Sequence, residues 1–380
     1  MEDKNVVKKT RSSNFELLRV LAMLMIVLLH VTMHWPRYQL INANSQRVLG
    51  NGLFSYPVFY KKLLIVNMIM PMGRIGNGLF IMISGYFMAN KAKIDLVKIS
   101  KKLLSQLGYV TVLLLFCSSI VFYVTNKDKL TYFNLIKISD FNSEWWFIGY
   151  YFVIMLLAAV VLNKYMINAD KNKALTLIVV VFTIVELQWT GNLLYTLSED
   201  LRTLGIGVFY YLMGSYIRKY NPFEKVRGYI FFVVIIVMNI IYGFTVYNNT
   251  QNEIQNYIWT GSEGTFIQPV YYPADYDIMV VAIVISVFEI FRRLRIPNSK
   301  VINYLGASTF TVYLIHENRF FRNIYNNTEI IVLLQNHPFL FSVELIKWTL
   351  FNFAAGVIVY ALFNLGAKIC KRLRWVAIKE

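Results

Sequence analysis

Apolar runs of about 20 residues, separated by short polar breaks, recur from one end of this 380-residue chain to the other. A bilayer core about 30 Å thick needs about that many helical residues to cross it, at about 1.5 Å of rise each. Ten such segments can be marked off, at 15–35, 73–89, 103–124, 144–163, 174–190, 201–217, 228–247, 277–291, 304–321 and 340–366. The expected fold is all-α: a polytopic membrane helical bundle of about ten transmembrane helices, forming one membrane-embedded domain over 1–380. Residues 1–14 and 367–380 are left as tails, the second of them basic. An amphipathic stretch, 61–72, is expected to lie along the outer interface before the second span. The longest outer segments, 36–62 and 248–276, read as loops. Glu253, Trp259, Glu263, Tyr271, Tyr272 and Asp275 of the second are candidates to meet a sugar, or are simply wet interface aromatics and acids.

Composition and charge agree with this. The chain is 57% hydrophobic and only 16% charged, where a soluble domain carries about a quarter charged residues. Its net charge of +17 sits in short clusters between the apolar runs, a pattern of orientation signals and contacts with lipid headgroups; no nucleic-acid partner is expected. With the N-terminus inside, 25 of the 38 Lys and Arg fall in cytoplasmic segments and 9 outside. Cytoplasmic loops hold the excess of such residues, so both termini are expected in the cytoplasm. The first run is too long for a signal-peptide core and has no small-residue cleavage site after it, so it reads as a retained span. Cys117 lies inside an apolar run and Cys370 in the basic end, which leaves no disulfide framework or zinc-ligand spacing.

The first span carries three ionisable side chains, Glu16, Arg19 and His30, and intramembrane charges are costly enough to suggest function by default. Eleven residues separate Arg19 from His30, which returns the helix to within about 20° of one face and about 16 Å further along; Glu16 falls within about 40° of that stripe. Arg19 either snorkels to inner headgroups or serves a site, and Glu16 either pairs with Arg19 or takes part in catalysis. His30 is the stronger candidate, because a neutral imidazole is the natural proton acceptor for a hydroxyl nucleophile. His316, in the ninth span, lies about as deep as His30, near 18 Å from the cytoplasmic start, so the two rings are expected at one level. It reads equally as a helix-end histidine beside polar Glu317 and Asn318. His34 and His337 read as interface or loop residues.

These residues resemble the acyltransferase-3 family of integral membrane acyltransferases over nearly the whole chain. The resemblance rests on Glu16, Arg19 and His30; on Leu79-Phe80-Ile81-Met82-Ile83-Ser84-Gly85-Tyr86; and on the basic cluster Lys98, Lys101 and Lys102. Glu144-Trp145-Trp146-Phe147 and the late Tyr313-Leu314-Ile315-His316 extend it. Singly these motifs are weak, and their order and spacing make them specific. One departure is Gly73-Arg74-Ile75-Gly76-Asn77-Gly78, where many relatives carry Asp or Pro; Arg74 or Asn77 is the substitute polar contact.

The resemblance implies a bacterial plasma-membrane enzyme that takes an acetyl or similar short acyl group from acyl-CoA, usually acetyl-CoA, to a hydroxyl of a cell-surface or lipid-linked glycan. It implies catalytic roles for His30, Glu16, Arg19 and His316, with His30 either removing a proton or carrying the acyl group. Arg19, Arg74, Ser84, Lys98, Lys101 and Lys102 are expected to bind the donor, although each lysine is equally a plain orientation signal. Trp145, Trp146 and Asn77 are expected at the acceptor. No metal is expected, since two histidines without nearby carboxylates or cysteines make a poor ligand set. The competing class is a glycan transporter or flippase, which also needs many spans and polar midplane residues. The sequence leaves the oligomeric state open, a homodimer included.

Overall fold

The computed structural model describes residues 11–39, 57–125, 145–186, 198–260, 274, 277–318 and 329–377. Every regular element among them is helical. In order these are α1 Ser13–Thr32, α2 Pro57–Met88, α3 Leu96–Thr125, α4 Trp146–Leu157, α5 Asn163–Asn168, α6 Lys171–Glu186, α7 Ser198–Tyr220, α8 Gly228–Thr260, α9 Ile278–Arg293, α10 Lys300–His316, α11 Ile330–Asn336 and α12 Pro338–Ala377. Two π-helical turns interrupt this order, Met33–Arg37 after α1 and Ala158–Leu162 between α4 and α5. Pro36 lies in the first, where its missing N–H and bulky ring disturb the regular ladder.

Six helical runs among the described residues are long and apolar enough to cross a membrane: Ser13–Arg37, Lys61–Met88, Leu96–Cys117, Trp146–Asn168, Gly228–Asn252 and Pro338–Cys370. The other four expected segments fall on α6, α7, α9 and α10. Three of these helices are short, at 16, 16 and 17 residues for α6, α9 and α10. The fourth, α7, carries charge at both ends, with Glu199, Asp200 and Arg202 at its start and Arg218 and Lys219 at its finish. Large apolar side chains such as Val112, Phe116, Phe232, Ile240, Phe244, Leu350 and Ile358 face outward on α3, α8 and α12, a surface suited to lipid rather than water.

Two expectations are corrected. The stretch 61–72 does not lie apart along an interface; it is continuous with the second span in α2 and runs through Pro71. Leu63, Val66, Asn67 and Met70 are buried in the bundle. The segment 248–276 is not loop throughout, because α8 stays helical to Thr260. The side chains of Glu253 and Trp259, with Glu263, Tyr271, Tyr272 and Asp275, lie outside the described residues.

α1 and α2 are the pivot of the bundle. One apolar core joins α1 to the first half of α2, α3 and α10 to α12; a second joins them to α4 to α7 and α9. Close packing around α2 depends on glycine. A Cβ at Gly76 would lie 2.6 Å from the Ala22 carbonyl of α1, one at Gly85 2.0 Å from the Tyr211 carbonyl of α7, and one at Gly214 of α7 2.1 Å from the Met82 carbonyl of α2. Small residues let membrane helices approach until van der Waals contact replaces side chains. At the end of α1 expected in the cytoplasm, Asn14 donates to the Phe291 carbonyl and the Ser13 hydroxyl to Asn303 Oδ1, which ties α1 to α9 and α10.

Candidate active site

The tie between α1 and α10 sets two histidines level. Their rings meet: His30 Nδ1 is 2.9 Å from His316 Nε2, with centroids 5.0 Å apart. Glu317, one residue past the end of α10, brings Oε1 within 2.9 Å of His30 Nδ1 and 3.9 Å of His316 Nε2. Its Oε2 lies 3.4 Å from Nε2 of His34, which the π-helical turn carries beside His30, their rings 6.1 Å apart. His316 and Glu317 are buried, while the His30 and His34 side chains keep 19% and 25% exposure.

Hydrogen-bond bookkeeping assigns the tautomer of His316. His316 Nδ1 is 3.1 Å from the Val312 carbonyl, which can only accept, so that nitrogen carries the proton and Nε2 is left with a lone pair. His30 Nδ1 faces this lone pair and the Glu317 carboxylate. In a neutral ring that nitrogen carries the proton, and Nε2 is then the basic atom. No hydrogen bond to Nε2 is present among the described residues.

One turn inward a cavity of about 350 Å³ opens where the two cores meet. Ile26 and Tyr313 line it, four residues before His30 and three before His316, and Phe80 and Phe147 pack against both cores beside it. Its other end is cationic, lined by Arg11, Arg19 and Lys102. Glu16 organises that mouth: its Oε1 accepts from Arg19 at 2.5 Å, and its Oε2 lies 3.5 Å from Arg11. Gly306 makes room for the carboxylate, since a Cβ there would lie 2.3 Å from Oε2. Between the ends, Ser84 donates to the Phe80 carbonyl and lies 3.4 Å from the Tyr151 hydroxyl, near buried Gln106.

Among the residues singled out from sequence, His30 and His316 form one cluster, and Arg19, Ser84 and Lys102 line one cavity whose mouth Glu16 braces. Lys98 and Lys101 are exposed and lie off the cavity wall. Arg74 faces elsewhere, within electrostatic reach of Asp277 at the start of α9. Asn77 sits two turns along α2 from Ser84, half-buried. Trp145 is in the core, its indole N–H donated to the Leu314 carbonyl, whereas the Trp146 ring is 41% exposed beside Phe147 and Tyr150. Sequence reasoning missed the partnership of Glu317 and treated His34 as peripheral. It also took the histidines to lack a carboxylate neighbour, which the position of Glu317 corrects. The i, i+4 spacing of His30 and His34 was the available signal.

A helical membrane protein with an imidazole–carboxylate cluster inside the bundle, one turn from a cavity with a cationic mouth, belongs to the class whose buried polar groups serve chemistry or passage rather than packing. The family model described as an acyltransferase domain, that of the acyltransferase-3 family, matches residues 12–366, and the chain belongs to that family of membrane acyltransferases. No curated protein and no solved structure matches the chain.

Proposed function

We propose that the protein moves an acetyl or similar short acyl group from acyl-CoA, bound at the cytoplasmic side, to a hydroxyl of a cell-surface or lipid-linked glycan. In this reading the ten expected segments, each of which falls on a helix, all cross a bacterial plasma membrane, with both termini in the cytoplasm. One observation carries the proposal: His30 turns Nδ1 to Glu317 and His316 one turn from the cavity, so that a neutral ring held this way presents Nε2 as the base.

His30 Nε2 takes the acceptor's hydroxyl proton as that oxygen bonds to the thioester carbonyl carbon. The carbon–sulfur bond then breaks, and the imidazolium returns the proton to the departing thiolate, leaving an ester and free CoA thiol. Glu317 stabilises the imidazolium, as a carboxylate on the far ring nitrogen does in other imidazole bases. Such a base contributes about 10²–10⁴-fold. Arg11, Arg19 and Lys102 hold the donor's phosphates by charge-assisted contacts, and Lys98 and Lys101 add to the positive field around the mouth. Ser84 and Tyr151 line the donor's path. Trp146 and Asn77 are the remaining candidates for sugar contact, Trp145 acts by fixing α10, and Arg74 has no part in the donor site.

Labelled acetyl-CoA with purified protein and surface glycan tests this. His30→Ala is expected to lower transfer by about 10²–10⁴-fold while membrane insertion and thermal unfolding stay normal. Transfer at the parental rate by that variant defeats the assignment, and glycan translocation without donor consumption would establish a flippase instead.

A further inference from the structure

We propose that His30, His316 and Glu317 also form a binding site for Zn²⁺, and that its occupancy switches the base off. The three donor atoms lie within 4.8 Å of one another. Their separations of 2.9, 2.9 and 3.9 Å bracket the roughly 3.3 Å between ligands that sit about 2.0–2.1 Å from a tetrahedral zinc. Two imidazoles and one carboxylate make a donor set that zinc accepts with an open fourth position.

Lone pairs outnumber protons at this point. The ring proton of His316 is committed to the Val312 carbonyl, so Nε2 directs a lone pair inward, and Glu317 directs another. A single proton, on His30 Nδ1, serves both. Shifting it to Nε2 of the same ring completes a three-donor face with no change in protonation count. The surroundings already have the form that orients metal ligands: a backbone carbonyl on the second nitrogen of His316, and His34 against the second oxygen of Glu317. The partial exposure of His30 and His34 gives an ion access.

Metal and base exclude each other through the tautomer. With Zn²⁺ on Nδ1, the proton of the neutral ring occupies Nε2, which becomes a donor and no longer accepts from a hydroxyl. The inhibitory half of the inference rests on the proposed role of His30; the binding half does not.

The full-length protein in detergent, stripped by a chelator, is titrated with Zn²⁺ and its metal content measured, with Co²⁺ as an absorbing probe. One ion per chain is expected, with a tetrahedral Co²⁺ spectrum. Affinity is expected to weaken by at least about tenfold in His316→Ala and Glu317→Gln, and acetyl transfer to fall over the same Zn²⁺ range and recover on chelation. Should either variant not fold, the parental stoichiometry and spectrum still decide. A chain that takes up no ion overturns the site and leaves the His30 base standing. A stripped enzyme that is inactive until Zn²⁺ is restored overturns the inhibitory inference and the base together.

Discussion

Glu317 is a single carboxylate among three imidazoles, and its charge favours the proton on the nitrogen of His30 that faces it. Glu317→Gln retains the shape but offers an amide that can donate to Nδ1, which favours the tautomer with Nε2 protonated. Transfer is expected to lose about 10³–10⁴-fold in kcat, with KM for the donor little changed, a split that steady-state kinetics reads directly. The opposite end of the cavity behaves differently. Glu16 has a side chain only 5% exposed and relies on Arg19, which is itself 27% exposed. Arg19→Ala leaves that carboxylate with Arg11 alone, at an expected cost of about 1–3 kcal/mol, below the roughly 3–5 of a fully buried pair because solvent screens Arg19. Arg11→Ala, at a 46% exposed residue, is expected to cost under about 1 kcal/mol; thermal unfolding in detergent compares the two. His30 and Arg19 were legible in the sequence because a titratable residue in an apolar run has few structural excuses. Glu317 was not, since a carboxylate at a helix end looks ordinary until the fold brings α1 beside it.

Among the elements, α2 is where local sequence and tertiary packing say most about each other. The run Gly73-Arg74-Ile75-Gly76-Asn77-Gly78 stands out in sequence as a departure from the family pattern, and in the bundle Gly73 and Gly76 accept α1 and Gly78 accepts Tyr210 and Val284. The motif Ser84-Gly85 likewise divides its work, Ser84 toward the cavity and Gly85 toward the backbone of α7. Gly85→Ala and Gly214→Ala would each press a methyl group against a backbone carbonyl of the facing helix, which has no flexible end to yield. Each is expected to destabilise by about 1–3 kcal/mol or to force α2 and α7 apart. Gly108→Ala supplies the contrast: nothing lies within 4 Å of its added Cβ, so relief of glycine's helix penalty should raise stability by up to about 1 kcal/mol. Unfolding midpoints of the three variants in one detergent check the order. Helical identity and approximate positions were readable from hydropathy. The fusion of 61–72 into α2 was not, because Lys61 and Lys62 look interfacial while the neighbours that bury Leu63, Val66 and Met70 come from distant chain.

For the whole molecule, the question is how many of these helices traverse the bilayer and in which sense. Four of the expected spans fall on helices that are short or charged at their ends, α6, α7, α9 and α10. Yet each carries fully or almost fully buried apolar residues, such as Ile178, Ile206, Val284 and Leu314, that pack inside the two cores. A helix packed on its neighbours gains contacts there that offset polar ends and modest length, because protein rather than hydrocarbon meets that face. Length and apolar composition therefore mark both the central α1 and α2 and the rim helices α3, α8 and α12, and fall short on helices that are brief or end in charge. The alternation of Lys and Arg, counted on the division into ten segments, sets the sidedness that labelling can test. In a background with Cys117 and Cys370 replaced by Ser, Asn172→Cys in the first turn of α6 and Arg295→Cys between α9 and α10 are exposed positions expected on the cytoplasmic side. Glu329→Cys, before α11, is expected on the outer side. An impermeant maleimide applied to intact cells should modify Glu329→Cys alone and reach the other two only after permeabilisation. Modification of Asn172→Cys or Arg295→Cys from outside would mean an odd number of crossings before that point. The cationic mouth of the cavity would then need its orientation to the cytoplasm, and the cytoplasmic acyl donor with it, derived afresh.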